Sequence, residues 1–214
     1  MFLQTALQGV INNYIKQKYR GDLTLPKMSL IDNSNSQKVG HEKGFIPQGT
    51  DYPILEKIKW ADSLYSDFGT QLLKDVHFRE VLSRYKRAIE ATSKIMEQTG
   101  VLAQCSDCAI NDGGSCCGKG IEDKFTVALL LLNRLLGVTL NKEREDSEGC
   151  WFLGQCGCKI TARHTICVNY LCKRLQTQIP LKDLQLLQQF IGAEVDAAFI
   201  AEEELKKWFQ KQKI

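Results

Sequence analysis

Four thiols fall within thirteen residues of the stretch CSDCAINDGGSCCGKG (105–120): Cys105, Cys108, Cys116 and Cys117. A second stretch, CWFLGQCGCKITARHTICVNYLC (150–172), adds Cys150, Cys156, Cys158, Cys167 and Cys172. Cysteine at this density is open to three chemistries: disulfide bridging, metal ligation and redox reaction at sulfur. Nine cysteines cannot all pair internally, and the opening MFLQTALQGVINNYIKQKYR has neither a basic leader nor a small-residue cleavage site. A reduced cytoplasm is therefore the expected setting. There, clustered cysteines more often serve metals or redox chemistry than bridges.

Metal ligation needs several soft, ionisable donors converging on one point, and a C-x2-C spacing lets one short segment offer two of them. Cys105 and Cys108 have that spacing. The adjacent Cys116 and Cys117 suit a single small ion less well, because neighbouring side chains diverge. They fit one ligand with one supporting thiol, or two centres lying close together. Gly113, Gly114, Gly118 and Gly120 suit a backbone that bends tightly around a ligand cage. A thiol oxidoreductase would use Cys105-Ser106-Asp107-Cys108, but no βαβ pattern surrounds that motif. His164, inside the second stretch, reads as a surface imidazole with ligation as the alternative, and His41 and His77 read as surface residues.

The elements that must position these thiols read as helical. Phe2, Leu3, Ala6, Leu7, Val10, Ile11, Tyr14, Ile15 and Tyr19 recur at three- and four-residue steps, which predicts an amphipathic helix. That helix is expected to pack on the body of the protein, with binding at a membrane surface or pairing of two copies as alternative uses. Residues 21–49 lack any period and predict a flexible loop, so residues 1–50 form one unit and residues 51–214 a helical domain. From Asp51 to Thr99 the helical period returns, with Asp51 as a start cap, a break near Gly69 or within residues 74–77, and Gly100 as a C-terminal cap. EDKFTVALLLLNRLLG (122–137) predicts a short buried helix, its apolar run well below the roughly 20 residues that span a bilayer. Leu181 to Lys211 predicts a long helix after Pro180, with Glu202 to Glu204 on a solvated face. The expected fold is mainly α, its helices surrounding a cysteine-rich metal-binding core made of two irregular loops. At 214 residues the chain is long enough to bury a core without cysteine staples. A net charge of +3 and a pI near 8.3 do not point to nucleic acid or an anionic membrane.

The order of a C-x2-C, a CC pair, an isolated cysteine, a Gly-Cys, an Arg and a C-x4-C resembles the zinc- or iron-chelating family named after its C-x2-C-x2-CC signature, which includes the flagellin lysine N-methylases. The matching residues are Cys105, Cys108, Cys116 and Cys117, then Cys150, Gly157-Cys158, Arg163, Cys167 and Cys172. The chain departs from that pattern in the seven residues between Cys108 and Cys116 and in His164 after the arginine. Cys156 has no counterpart. The resemblance implies eight metal-ligating thiols. One clean C-x2-C with the other donors scattered over 68 residues favours an iron–sulfur cluster of the 4Fe–4S type over zinc, which stays as the alternative cofactor. Arg163 would then donate to a cluster sulfur or compensate thiolate charge, and Trp151, Phe152, Ile160, Ile166 and Tyr170 would furnish an apolar shell. Two functions of different class follow. One is a metal-binding protein for electron transfer, sensing or metal handling, with a protein redox partner. The other is a metal-dependent modifying enzyme acting on a protein substrate. No phosphate-binding loop, nucleophile elbow or paired-histidine motif is present to name a reaction.

Overall fold

The structure, a computed structural model, describes residues 52–111 and 116–211. The N-terminal amphipathic helix, the loop after it, the Asp51 cap, Gly113 and Gly114 lie outside the described residues. Two long helices, α1 (Ile54–Lys74) and α2 (Val76–Gln98), open the described chain. Asp75 separates them: its backbone turns extended, and its carboxylate accepts from the N–H of Phe78 at 2.9 Å, satisfying a free donor at the start of α2. The break thus falls within 74–77, and Gly69 stays helical, its missing side chain leaving room for the Tyr65 ring.

Gly100, with φ +77°, turns the chain out of α2 in a conformation that glycine adopts without strain. It leads directly into α3 (Val101–Asn111), which carries Cys105 and Cys108. The first cysteine stretch is therefore not wholly an irregular loop. Its C-x2-C half is helical, because an i, i+3 spacing also sets two thiols on one helix face. A 3-10 turn (Ile121–Lys124) leads into α4 (Val127–Leu135), where the Thr126 hydroxyl accepts from the N–H of Leu129 at 3.0 Å. Next come a short hairpin, β1 (Leu153–Gly154) paired antiparallel with β2 (Gly157–Cys158), then α5 (Thr165–Asn169), α6 (Lys173–Gln178) and α7 (Leu181–Lys211). The fold is mainly α. No helix among the described residues is long and apolar enough to cross a membrane.

Apolar positions at helical spacing drive the packing, each fully buried Leu, Ile or Phe contributing about 1.5–3 kcal/mol. One buried cluster joins α1, α2, α4 and the C-terminal half of α7, with Leu130, Leu131, Leu132, Leu205 and Phe209 wholly enclosed. The other joins the end of α2, α5, α6 and the N-terminal half of α7 through Ile95, Met96, Val168, Leu175, Leu187 and Ile191. Lys57, 1% exposed, crosses from α1 to donate to the carbonyl of Asp123 at 2.8 Å. Cys150 is part of the first cluster, with Cys117 and Cys167 packed against it, while Cys172 packs against the second.

Candidate metal centre

The two cysteine stretches meet through main chain. The N–H of Cys150 donates to the carbonyl of Cys117 at 2.6 Å, Gly118 and Gly149 form an antiparallel bridge, and the N–H of Lys119 donates to the carbonyl of Glu148 at 2.8 Å. Gly120, with φ +94°, then redirects the chain, and its N–H donates to the Glu122 carboxylate at 2.9 Å. Glu122 is buried and also holds Arg144, whose guanidinium donates to the carbonyl of Gly149 and lies over the Trp151 ring. Burial works to raise the Glu122 carboxyl, but its main-chain donors and Arg144 outweigh burial and keep it below the usual carboxylate range.

Cys158 ends the hairpin, opposite Leu153. The two-residue connection, Gln155 and Cys156, closes with Gly157 at φ +114°, a value a side chain would strain. Beyond β2, Asn133 of α4 fixes the approach to Arg163. Its side-chain amide donates to the carbonyl of Ala162 at 2.8 Å, and its Oδ1 accepts from the N–H groups of Thr161 and Ala162 at 3.0 and 2.9 Å. The ring of His164 caps α5, Nδ1 accepting from the N–H of Ile166 at 3.2 Å, and burial lowers its pKa. Arg174 ties α6 to α3 through Gln104 and Asp107.

Eight thiols form one electrostatic neighbourhood. Burial, then the charges of Cys116, Cys172 and Cys108, push the Cys105 thiol up, with Arg163 opposing. Burial raises Cys150 to about 12 and Cys167 to about 11, and each also feels Cys158. Cys158 is solvent-accessible, yet the protein around it still raises its pKa, against the pull of the Ile160 N–H and Arg163. The Cys117 thiol donates to Cys116, holding Cys116 below an ordinary thiol and Cys117 above one. Cys117 in turn feels Cys158 and Cys167. Arg163 acts on Cys105, Cys158 and Cys167 together. Cys156, exposed on the hairpin loop, is not among the principal influences on any other thiol.

Among the described residues, no three His, Cys, Asp or Glu side chains are gathered as a group that could hold a metal ion. The donor set is nonetheless of the kind a soft metal takes: eight cysteines, none bridged, with a guanidinium beside them. The expected apolar shell is only half present. Phe152 and Ile160 are buried and Trp151 is half-buried, but Ile166 and Tyr170, 44% and 56% exposed, face solvent on α5 and its cap. Their outward position follows from Cys167 and Val168 turning inward on that one-turn helix.

Asn133 and Glu122 act as positioning residues that the cysteine pattern does not point to. Each is a polar side chain beside or within a long apolar run, and Asn133 in LLLLNRLL carries the clearer signal. Comparison of the chain with models of known protein families, with curated proteins and with solved structures finds no match.

Proposed function

We propose that this chain is a cytoplasmic metal-binding protein holding an iron–sulfur centre of the four-iron type on cysteine thiolates, for electron transfer, sensing or metal handling. The observation that carries the reading is the main-chain bond from Cys150 to Cys117 that joins the two cysteine stretches, beside the charges of Cys108, Cys116 and Cys172 felt at Cys105 and those of Cys158 and Cys167 felt at Cys117 and Cys150. Thiols drawn from a helix, a turn, a hairpin and α5 have no packing reason to share one neighbourhood, and elevated thiol pKa values are costly to use unless a metal replaces the protons. Donors spread over several elements suit a polynuclear core better than one small ion.

When bound, such a centre supplies one-electron redox chemistry. The protein's part is to deliver thiolates, compensate their charge and limit water. Cys150 and Cys167 must each release a proton to bind, so loading lowers the pH of a weakly buffered solution. Arg163, held by the Asn133 clamp on Ala162, offsets the negative charge of the thiolates. Phe152 and Ile160 keep the inner side dry.

The test is a visible spectrum of anaerobically purified protein, with iron, zinc and acid-labile sulfide measured on the same sample. Broad visible absorption with equal iron and sulfide supports the reading. A colourless protein with stoichiometric zinc replaces the metal and keeps the ligand set. A protein with neither metal overturns the reading.

A further inference from the structure

α7 carries a second apolar line beside the face it buries. Leu186, Phe190, Ala193, Ala197 and Ile200 follow one another at steps of four, three, four and three residues, the repeat that keeps side chains facing one partner helix. The residues one step on from that line, Leu187, Glu194 and Ala201, are buried against the body. His77 bonds Glu204 at 2.9 Å and Thr92 donates to the carbonyl of Phe190 at 3.1 Å, so α2 runs antiparallel to α7 along its length. The seam itself stays open. Leu186 and Ile200 are 41% and 43% exposed, Ala193 is exposed, and Phe190 and Ala197 are half-buried. At 1.5 Å per residue it is about 21 Å long, a continuous line and not the scattered apolar side chains that any surface carries.

Residues 3–18, outside the described residues, carry a matching repeat. Leu3, Leu7, Val10 and Tyr14 step by four, three and four. Aligned as a helix parallel to α7, they lay Leu3 on Leu186, Leu7 on Phe190, Val10 on Ala193 and Tyr14 on Ala197. The larger side chains thus meet the two alanines, whereas a second copy of α7 would set Ala193 against Ala193 and leave a gap. Charge agrees with this alignment. Residues 1–20 hold Lys16, Lys18 and Arg20 and no acid. Lys18 falls at the flanking position that pairs with Asp196, which is exposed, while Glu203 and Glu204 are already paired with Lys206 and with Lys207 and His77. Run antiparallel over the same four α7 positions, the segment would bring Lys18 to Lys182, a like-charge contact. Reach is no obstacle, because residues 21–51 separate Arg20 from Tyr52 and an extended chain covers about 3.3 Å per residue.

We propose that residues 3–18 dock as a helix, parallel to α7, on the seam of Leu186 to Ile200 in the same chain. The amphipathic opening segment then spends its apolar face on its own body, and neither a membrane surface nor a second copy is its partner. The thiols play no part in this contact, so it stands or falls apart from the metal-centre reading.

The test uses the full chain at low concentration with benzoylphenylalanine in place of Val10. A mixture of light and heavy-isotope protein is irradiated, and adducts are mapped by peptide mass spectrometry. The expected adduct lies within one chain, on the α7 residues around Ala193. Asp196→Lys should lower its yield several-fold, and Lys18→Glu in the same chain should restore most of it. Ala193→Glu, at an exposed position, should lower the yield at least tenfold with the cooperative unfolding transition retained. Adducts between light and heavy chains would give the seam to a second copy and overturn the proposal. An adduct elsewhere, none at all, or a yield indifferent to Asp196→Lys and Ala193→Glu would overturn it equally.

Discussion

Asn133 and Ala162 exchange two hydrogen bonds: the Asn133 amide donates to the Ala162 carbonyl at 2.8 Å, and the Ala162 N–H donates back to Oδ1 at 2.9 Å. The pair locks the segment that presents Arg163 onto the buried helix α4. Asn133→Leu leaves that buried main chain unsatisfied, at about 1–3 kcal/mol per orphaned group, so a loss of about 3 kcal/mol in urea unfolding is expected. The same variant should bind less metal at a concentration of denaturant where it remains folded. Unchanged stability would mean that the segment finds other partners.

Single Cys→Ser variants separate the ligands from the bystander. Cys108→Ser should abolish or halve bound metal, as should Cys158→Ser and Cys167→Ser, which lie at the crossing of several thiol influences. Cys156→Ser, at the exposed hairpin loop, should leave metal content within error. Metal analysis on purified variants decides, and equal losses in all four would break the assignment.

The vicinal pair gives a prediction in metal-free protein. Cys116 is exposed and is held below an ordinary thiol by the Cys117 thiol that donates to it, so more of it is thiolate at neutral pH. Iodoacetamide at pH 7 should label Cys116 ahead of Cys105, Cys150, Cys158 and Cys167, all of which are raised. Cys117→Ala removes the donor and should slow labelling of Cys116 several-fold, read by peptide mass spectrometry. An unchanged rate would locate the cause elsewhere.

Glu202 offers a stability test away from the thiols. Burial, with Glu203 beside it, raises its carboxyl from 4.5 to about 7. A raised acid binds its proton more tightly in the folded state, so its contribution is fully favourable below about pH 4.5 and is lost as pH climbs to about 7. Glu202→Gln should therefore stabilise the protein by roughly 2 kcal/mol at pH 8 and change little at pH 4. A tenfold tighter hold on the proton is worth about 1.4 kcal/mol, and relaxation with residual solvation trims the total. A pH-independent difference in denaturation midpoint would contradict a raised carboxyl at this position.

The helices are legible in the sequence because their signals are local. Asp75, Thr126 and Pro180 punctuate the chain at the starts of α2, α4 and α7, and the apolar spacing of Leu184, Leu187 and Ile191 needs no tertiary knowledge. The helical state of the α3 cysteines is harder to read, because C-x2-C spacing serves a helix face and a metal loop equally well, and the glycines after Asn111 draw the whole stretch toward a loop. Composition alone places Ile166 and Tyr170 inward, whereas a one-turn helix that buries Val168 must expose them. Asn133 stands out within its apolar run without disclosing what it does: a single polar residue in an apolar stripe shows its purpose only when the partner across the packing interface is known, and Ala162 lies 29 positions away in sequence.

The Cys117–Cys150 stitch is made of peptide groups, and peptide groups are indifferent to which side chain they carry. The frame that brings both cysteine stretches together therefore does not depend on sulfur for its shape. The exposed positions Cys105, Cys116 and Cys158 can be exchanged for an imidazole, a carboxylate or a hydroxyl without unpicking the scaffold, whereas Cys150, packed in the core, accepts only a small apolar replacement. For an engineer, the exposed positions are a bench on which to vary donor chemistry.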